Sequence, residues 1–229
     1  MNANTLSEKA MKRQSNMLRV YKFNASLFRK KRFQKFVDLC MPELTDTMLD
    51  VGGTVDFWSG KKQFCKKIDL LNIRHIQMPQ SLSNIHTQID LVKGDARCLM
   101  YNDSSYDIVF SNSVIEHVGS WEDQVSFANE CRRVGKKLWI QTPAKSFFIE
   151  PHFMTLFVHW LPKKFQKYLV RYFSLWGLLN RPTAESVSKM VDEIRLISFD
   201  EMRILFPDCK IHRERVAFVF VKSYIAYRA

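Results

Sequence analysis

The sequence predicts an α/β fold built on a mostly parallel sheet, and two observations carry that prediction. Five short apolar runs, at 48–51, 68–73, 89–92, 106–110 and 137–141, are separated by stretches of which several have helical composition, most clearly 120–134. Strands alternating with helices form parallel sheets through right-handed crossovers. The second observation is how two of the runs stop, the first at Gly52–Gly53 and the fourth at Ser111–Asn112–Ser113. In open sheets of this kind ligands bind beyond the carboxyl ends of the strands, so residues at those ends are candidate site residues.

Taken in order, residues 7–40 carry Leu18, Tyr21, Phe23, Leu27, Phe28, Phe33, Phe36 and Val37 among many Lys and Arg. That is the pattern of one or two amphipathic, basic helices. Pro42 and the polar stretch 45–47 then break to the first strand. In the fourth run Ile108, Val109 and Phe110 read as a buried strand, with Ser111, Asn112, Glu116 and His117 as a polar cluster beyond it. After Pro143 the pattern changes: residues 147–180 are dense in Phe, Trp, Leu, Lys and Arg. We read them as two apolar helical pieces interrupted by Pro162–Lys163–Lys164, forming an inserted cap too short to span a bilayer. Ser198, Asp200 and Glu201 ahead of Met202, Leu205 and Phe206 predict a short capped helix ending at Pro207. Residues 211–227 read as two strands that pair as a hairpin at the sheet edge.

Composition sets limits on function. With 229 residues, 46% hydrophobic and 25% charged, the chain is long enough for one sizeable globular domain. The net charge of +12 favours an anionic partner, either nucleic acid, an acidic membrane surface or a phosphorylated molecule. Its basic residues are scattered, so most belong to a solvated surface. Cys40, Cys65, Cys98, Cys131 and Cys209 are odd in number and contain no C-x-x-C pair. That speaks against a disulfide framework or a structural zinc site and fits the cytoplasm. The first residues lack the apolar core of a signal peptide.

At the first strand's end, Asp50 and Asp56 flank the glycines with negative charge. A dinucleotide pyrophosphate prefers glycines with a bare helix N-terminus, whereas a ligand bearing ammonium and sulfonium groups would welcome both acids. After the third strand, Asp95 can accept a hydrogen bond from an adenine amine, and Ala96 can offer its backbone amide to the ring. His75, His86, His159 and His212 show no ligand spacing, so no metal is expected.

The stretches LDVGGT (49–54), GDAR (94–97), SYDIVFSNSVIEHV (105–118) and WIQTPAKSFFIEPHF (139–153) together resemble the class I S-adenosylmethionine-dependent methyltransferases. Within them the chain is most similar to the small-molecule (type 11) branch. The resemblance implies a Rossmann-like, doubly wound sheet of seven strands, mostly parallel with an antiparallel last strand. It implies one domain over 1–229: basic helices at 1–41, a cofactor-binding core at 47–142, a helical cap at 147–195, and a last helix with strands at 198–229. By that resemblance Asp50, Gly52 and Gly53 hold the methionine part of S-adenosylmethionine. Asp95 and Ala96 hold the adenine, and Ser111 and Asn112 line the methionine side through their backbone. Two departures stand out. Gly52, Thr54 and Asp56 occupy the three places of the usual G-x-G-x-G turn, and Asn72 replaces the acid that grips the ribose hydroxyls.

An ionisable acceptor needs a base near neutral pH, and the candidates are His117, Glu150 and His152. The expected acceptor is a small molecule, free or sugar- or lipid-linked. The aromatic run Phe153, Phe157, Trp160, Phe165, Tyr168, Tyr172 and Trp176 reads as the core of the cap. With Lys163, Lys164, Lys167 and Arg171 beside it, the same run also suits peripheral contact with an anionic membrane. Nucleic acid is a weaker alternative, because no Asn-Pro-Pro-Tyr-like base-gripping motif follows the fourth strand. A binding module that kept the fold without catalysis is the third reading.

Overall fold

The computed structural model describes residues 30–74, 77–78, 86–150 and 152–229. The chain divides into two compact units, Met1–Leu39 and Cys40–Ala229. In the first, the described residues belong to helix α1 (residues 30–40). The expected helical reading of 7–29 lies outside the described residues.

The second unit is organised by a seven-stranded sheet. Its strands are β1 (Thr47–Val51), β2 (Lys67–Asn72), β3 (Gln88–Lys93), β4 (Tyr106–Asn112), β5 (Gly135–Pro143), β8 (Lys210–Val216) and β9 (Phe220–Arg228). They lie in the order β3-β2-β1-β4-β5-β9-β8. Strands β1 to β5 pair in parallel, and β9 runs antiparallel to both of its neighbours, β5 and β8. The chain winds outward from β1 in one direction and returns to start β4 on its other side. The switch between β1 and β4 therefore opens a crevice at their carboxyl ends. Met48, Leu49, Ile108 and Val109 are fully buried, as expected of central strands covered on both faces.

Local signals set the flanking elements. Helix α3 (Trp121–Val134) starts at Ser120, whose hydroxyl accepts the Asp123 N–H while the Asp123 carboxylate accepts the Ser120 N–H. This reciprocal cap is worth about 1 kcal/mol. Phe127, Ala128, Cys131 and Val134 recur at helical spacing and join Val109, Leu138 and Ile140 in the main core. Helix α7 (Phe199–Leu205) repeats the device with Ser198 and Glu201, and buries Met202 and Leu205 in that core.

Two expectations need correction. Strand β4 continues through Ser111 and Asn112 instead of stopping at Phe110. The Ser111 hydroxyl donates to the Val51 carbonyl at 3.0 Å, so a polar side chain is tolerated inside the sheet. The first apolar piece of the cap is also not a helix. Its residues form a two-stranded ladder, β6 (Ile149–Glu150) with β7 (Thr155–Leu156), and a single 3-10 turn at Val158–Trp160. Phe157 adopts a left-handed conformation with φ 58°, which breaks any helix there. Pro162 does not interrupt a helix pair but caps the start of α4 (Lys163–Phe173), where its missing N–H costs nothing. Helices α5 (Leu175–Asn180) and α6 (Ala184–Glu193) complete the cap. Phe153, Val158, Val170, Val187 and Val191 give it a small core of its own.

Candidate active site

The loop after β1 is shaped by two glycines. Gly52 has φ +74°, and a Cβ there would stand 2.5 Å from the Val114 side chain. A Cβ on Gly53 would fall 1.8 Å from Asp50 Oδ2, so only glycine leaves room beside that carboxylate. Asp50 is buried and accepts a 2.7 Å hydrogen bond from the Trp58 indole on Oδ2. Its Oδ1 has no hydrogen-bond partner among the described residues. Burial pushes the Asp50 carboxyl up to about 7, against the lowering effects of the Trp58 bond and the Lys61 charge. A half-satisfied buried carboxylate next to an open glycine turn fits a cationic ligand, and the ammonium end of S-adenosylmethionine is one.

Across the crevice Asn72 ends β2 and donates to the Gly53 carbonyl at 3.0 Å, which ties the second strand to the glycine turn. Asp95 and Ala96 follow β3. Gly52, Asn72, Asp95, Ala96 and His117 line a single cavity with Val114. Asp95 is not idle: both its oxygens accept from the Arg97 guanidinium, with the shortest contact 2.6 Å, and Arg97 reaches on to Asp123 at 2.8 Å. The Arg97 hydrogen bond holds the Asp95 carboxyl below the usual carboxylate range. An adenine amine would have to share an oxygen with Arg97.

The fourth-strand motif delivers a different chemistry. Ser111 spends its hydroxyl on β1, and Asn112 pairs in the sheet with Gln141. The chain then turns through Ser113 (φ 59°) into a 3-10 turn, Ile115–His117. Glu116 is fully buried and accepts from Thr142 Oγ1, at the end of β5, at 2.9 Å. His117 is exposed, and its ring meets the His152 ring edge-on with centroids 4.7 Å apart. Protein packed round the ring, and then the His152 neighbour, lower the His117 pKa.

Glu150 and His152 form a pair at the root of the cap. His152 Nδ1 lies 2.6 Å from Glu150 Oε1, and Glu150 Oε2 accepts the Phe153 N–H at 2.7 Å. Burial opposes a charge on His152, but the Glu150 hydrogen bond and the Glu150 and Glu116 charges prevail, and its pKa is raised. Glu150 also lines a second cavity, under the cap, with Lys145, Phe153, Lys163 and Arg195. His117 and His152 thus stand in contact between the crevice cavity, which His117 lines, and the cap cavity, which Glu150 lines. A larger cavity of about 500 Å³ beside α7 and β8 holds none of the candidate residues.

The fold brings Gly52, Asn72, Asp95, Ala96 and His117 to one crevice, with Asp50 buried and Gly53 tied to Asn72 at the adjoining turn, and sets Glu150 and His152 beside His117. Ser111 and Asn112 lie in the sheet floor. Sequence reasoning missed Trp58, Arg97 and Thr142 as partners of site carboxylates. It placed Glu116 in the polar cluster beyond the fourth strand but gave it no role of its own.

Residues 49–138 match the methyltransferase domain family model. No curated protein matches the sequence. The possible exported protein of Bordetella parapertussis is similar in fold, with TM-score 0.54 and 11% identity over 87% of this chain and 67% of that one. The N-methyltransferase NodS of Bradyrhizobium japonicum gives TM-score 0.50 and 10% identity over 87% and 94%. A S-adenosylmethionine-dependent methyltransferase of Methanosarcina mazei gives 0.46 and 14% over 81% and 92%. At these identities the first two neighbours speak for the fold alone, while the family match falls on the segment that builds the glycine turn, the Asp95 turn and the fourth motif. Over residues 49–138 the chain is therefore similar to the methyltransferase domain family.

Proposed function

We propose that the domain methylates a hydroxyl of a small, lipid-linked acceptor that it meets at an anionic membrane surface in a reducing compartment. The cap's outer face is the observation that carries the acceptor side. Phe157, Trp160, Phe165, Tyr168, Tyr172 and Phe173 are exposed there, with Lys164 and Arg171 on the same stretch. Ring contacts run on from Phe157 through Phe148 to Phe220, beside the hairpin tip where Phe218 is 93% exposed. Exposed aromatics among cations suit the headgroup layer of a membrane. No described helix is long and apolar enough to cross one, so such contact would be peripheral. All five cysteines are free thiols.

In this reading the Gly52–Gly53 turn and Asp50 hold the methionine end of the cofactor, Asn72 faces its ribose, and Asp95 with Ala96 holds its adenine. When bound, S-adenosylmethionine would supply a methyl group on sulfonium: the acceptor oxygen would bond to that carbon as the carbon–sulfur bond breaks, and the hydroxyl proton would pass to an imidazole or to water. His117 and His152, the latter steadied by Glu150, are the polar groups that meet the acceptor's hydroxyl. Catalysis comes largely from holding the two reactants in line away from water.

The test has two arms. Calorimetric titration with S-adenosylmethionine should give saturable binding, and no binding by folded protein at millimolar cofactor leaves only the non-catalytic module. Sedimentation with vesicles should show at least tenfold preference for anionic over zwitterionic lipid. Replacing Phe165, Tyr168 and Tyr172 by Ser should abolish it while cofactor binding persists. Equal, weak sedimentation with both lipids sinks the membrane part alone.

A further inference from the structure

Glu116, His117 and His152 come from two distant segments, yet each offers a ligand atom within 4.8 Å of the others. We infer that these three side chains form a site for one divalent first-row transition cation, of the Zn²⁺ or Mn²⁺ kind, beyond the ends of β4 and β5. Binding of the ion stands by itself; what the ion would do rests on the acceptor reading above.

The ligand chemistry is specific. Two imidazole nitrogens and one carboxylate oxygen suit zinc, iron and manganese better than magnesium, whose preference is for oxygen alone. Bonds of ~2.1 Å put neighbouring ligand atoms about 3–3.5 Å apart, so the three groups must close by about an ångström. His117 is exposed, so a change of its side-chain rotamer can supply that movement. The other two groups are held. Glu116 is buried against the Thr142 hydroxyl, and its carbonyl accepts the Arg195 N–H at 2.9 Å.

His152 has the outer shell that metal-ligating histidines usually have. Glu150 engages its Nδ1 at 2.6 Å, which leaves Nε2 to bind, and the Phe153 N–H fixes Glu150 in turn. Two buried carboxylates, Glu116 and Glu150, bring negative charge to this end of a chain of net charge +12. The Arg195 guanidinium bonds Gln124 and Glu201. Three protein ligands leave coordination positions open. An acceptor hydroxyl bound there would lose its proton more readily, because the ion stabilises the oxyanion. The alkoxide or phenoxide then forms the new carbon–oxygen bond as the sulfonium carbon–sulfur bond breaks, with the proton passing to water.

Protein stripped with a chelator is dialysed against Zn²⁺ or Mn²⁺ alone, and Co²⁺ is added as a visible-absorption probe. One ion should bind per chain, with Co²⁺ giving ligand-field bands. His117→Ala and His152→Ala should each weaken binding about a hundredfold, and Glu150→Gln about 10–100-fold. His117 is exposed, so His117→Ala carries the test if a buried variant fails to fold. The absence of stoichiometric binding, or His117→Ala binding as the parent does, overturns the site. Cofactor titration of the same stripped sample separates the two readings. S-adenosylmethionine binding without metal binding removes this inference only, and metal binding without cofactor binding removes the methyltransferase activity only.

Discussion

Asp50 at the glycine turn and Glu150 at the root of the cap are both buried carboxylates, 1% exposed each, and they are satisfied in opposite ways. Glu150 gives one oxygen to the Phe153 N–H and the other to the His152 ring. Asp50 gives one oxygen to Trp58, and the other meets no hydrogen-bond partner among the described residues. A buried carboxylate with its hydrogen bonds made holds its surroundings together, while one left short is a cost the fold carries. The cap root is therefore held by its own hydrogen bonds, whereas the glycine turn carries a buried acceptor with none among the described residues.

The largest expected effect tests the Asp50 half of that contrast. Its folded pKa of about 7 lies above the ~3.9 of an unfolded aspartate, so the folded state keeps a proton the unfolded chain has released. The contribution of this group to stability is intact below about pH 4. It falls as pH rises and levels off above about 7, a loss on the order of 4 kcal/mol. Asp50→Asn should remove this slope between about pH 4 and 7 in denaturant titrations while weakening cofactor binding. An unchanged slope would mean that another group carries the penalty. The cofactor's ammonium favours the carboxylate form, so cofactor affinity should rise with pH through the same window. Below pH 7 its binding should release close to one proton, measured by calorimetry in buffers of different ionisation enthalpy.

Glu150 should behave in the opposite sense. Glu150→Ala leaves the Phe153 N–H buried without its acceptor and should cost about 1–3 kcal/mol. The loss should appear in the chemical-denaturation midpoint, with cofactor affinity nearly unchanged. If stability is unaffected, the cap root is not the rigid region that its hydrogen bonds describe.

A smaller loss is expected at Gly53. In Gly53→Ala the new methyl would displace Asp50 and strain the Trp58 bond, costing about 1–2 kcal/mol by overpacking. Cofactor binding should be lost with it. Retained binding would show that the crevice accommodates its ligand away from the turn.

What the sequence made legible, and what it hid, follows the same divide between local and distant causes. The glycine turn, the helix over 120–134, the Ser198–Glu201 cap and the final hairpin are written in neighbouring residues, and all were readable, whereas the Ser120–Asp123 cap went unread. The continuation of β4 through Ser111 was not, because its hydroxyl is satisfied by Val51, sixty residues earlier. The first part of the cap was misread because apolar aromatic runs fit a helix as well as a short ladder, and Phe157's left-handed backbone leaves no trace in composition. Candidate residues were named singly, without their partners. Arg97 reaches Asp123 across α3, and the His117 ring meets His152 only after the chain has passed through β5.

Arg97 gives the smallest and sharpest test of the crevice as a region kept open for a ligand. Asp95 looks occupied there, as Glu150 is at the cap root, but its side chain is 36% exposed and so is that of Arg97. A pair this open is worth only about 0.5–1 kcal/mol, so a ligand can displace it where it could not displace Glu150 from its buried partners. Arg97→Gln should therefore free the Asp95 carboxylate for an adenine amine and tighten cofactor binding by about two- to fivefold. Asp95→Ala should weaken it about tenfold, the ordinary worth of a hydrogen bond to a charged group. Weaker binding by Arg97→Gln would reverse the assignment: the guanidinium itself would then be the group that meets the adenine side, with Asp95 and Asp123 serving to aim it.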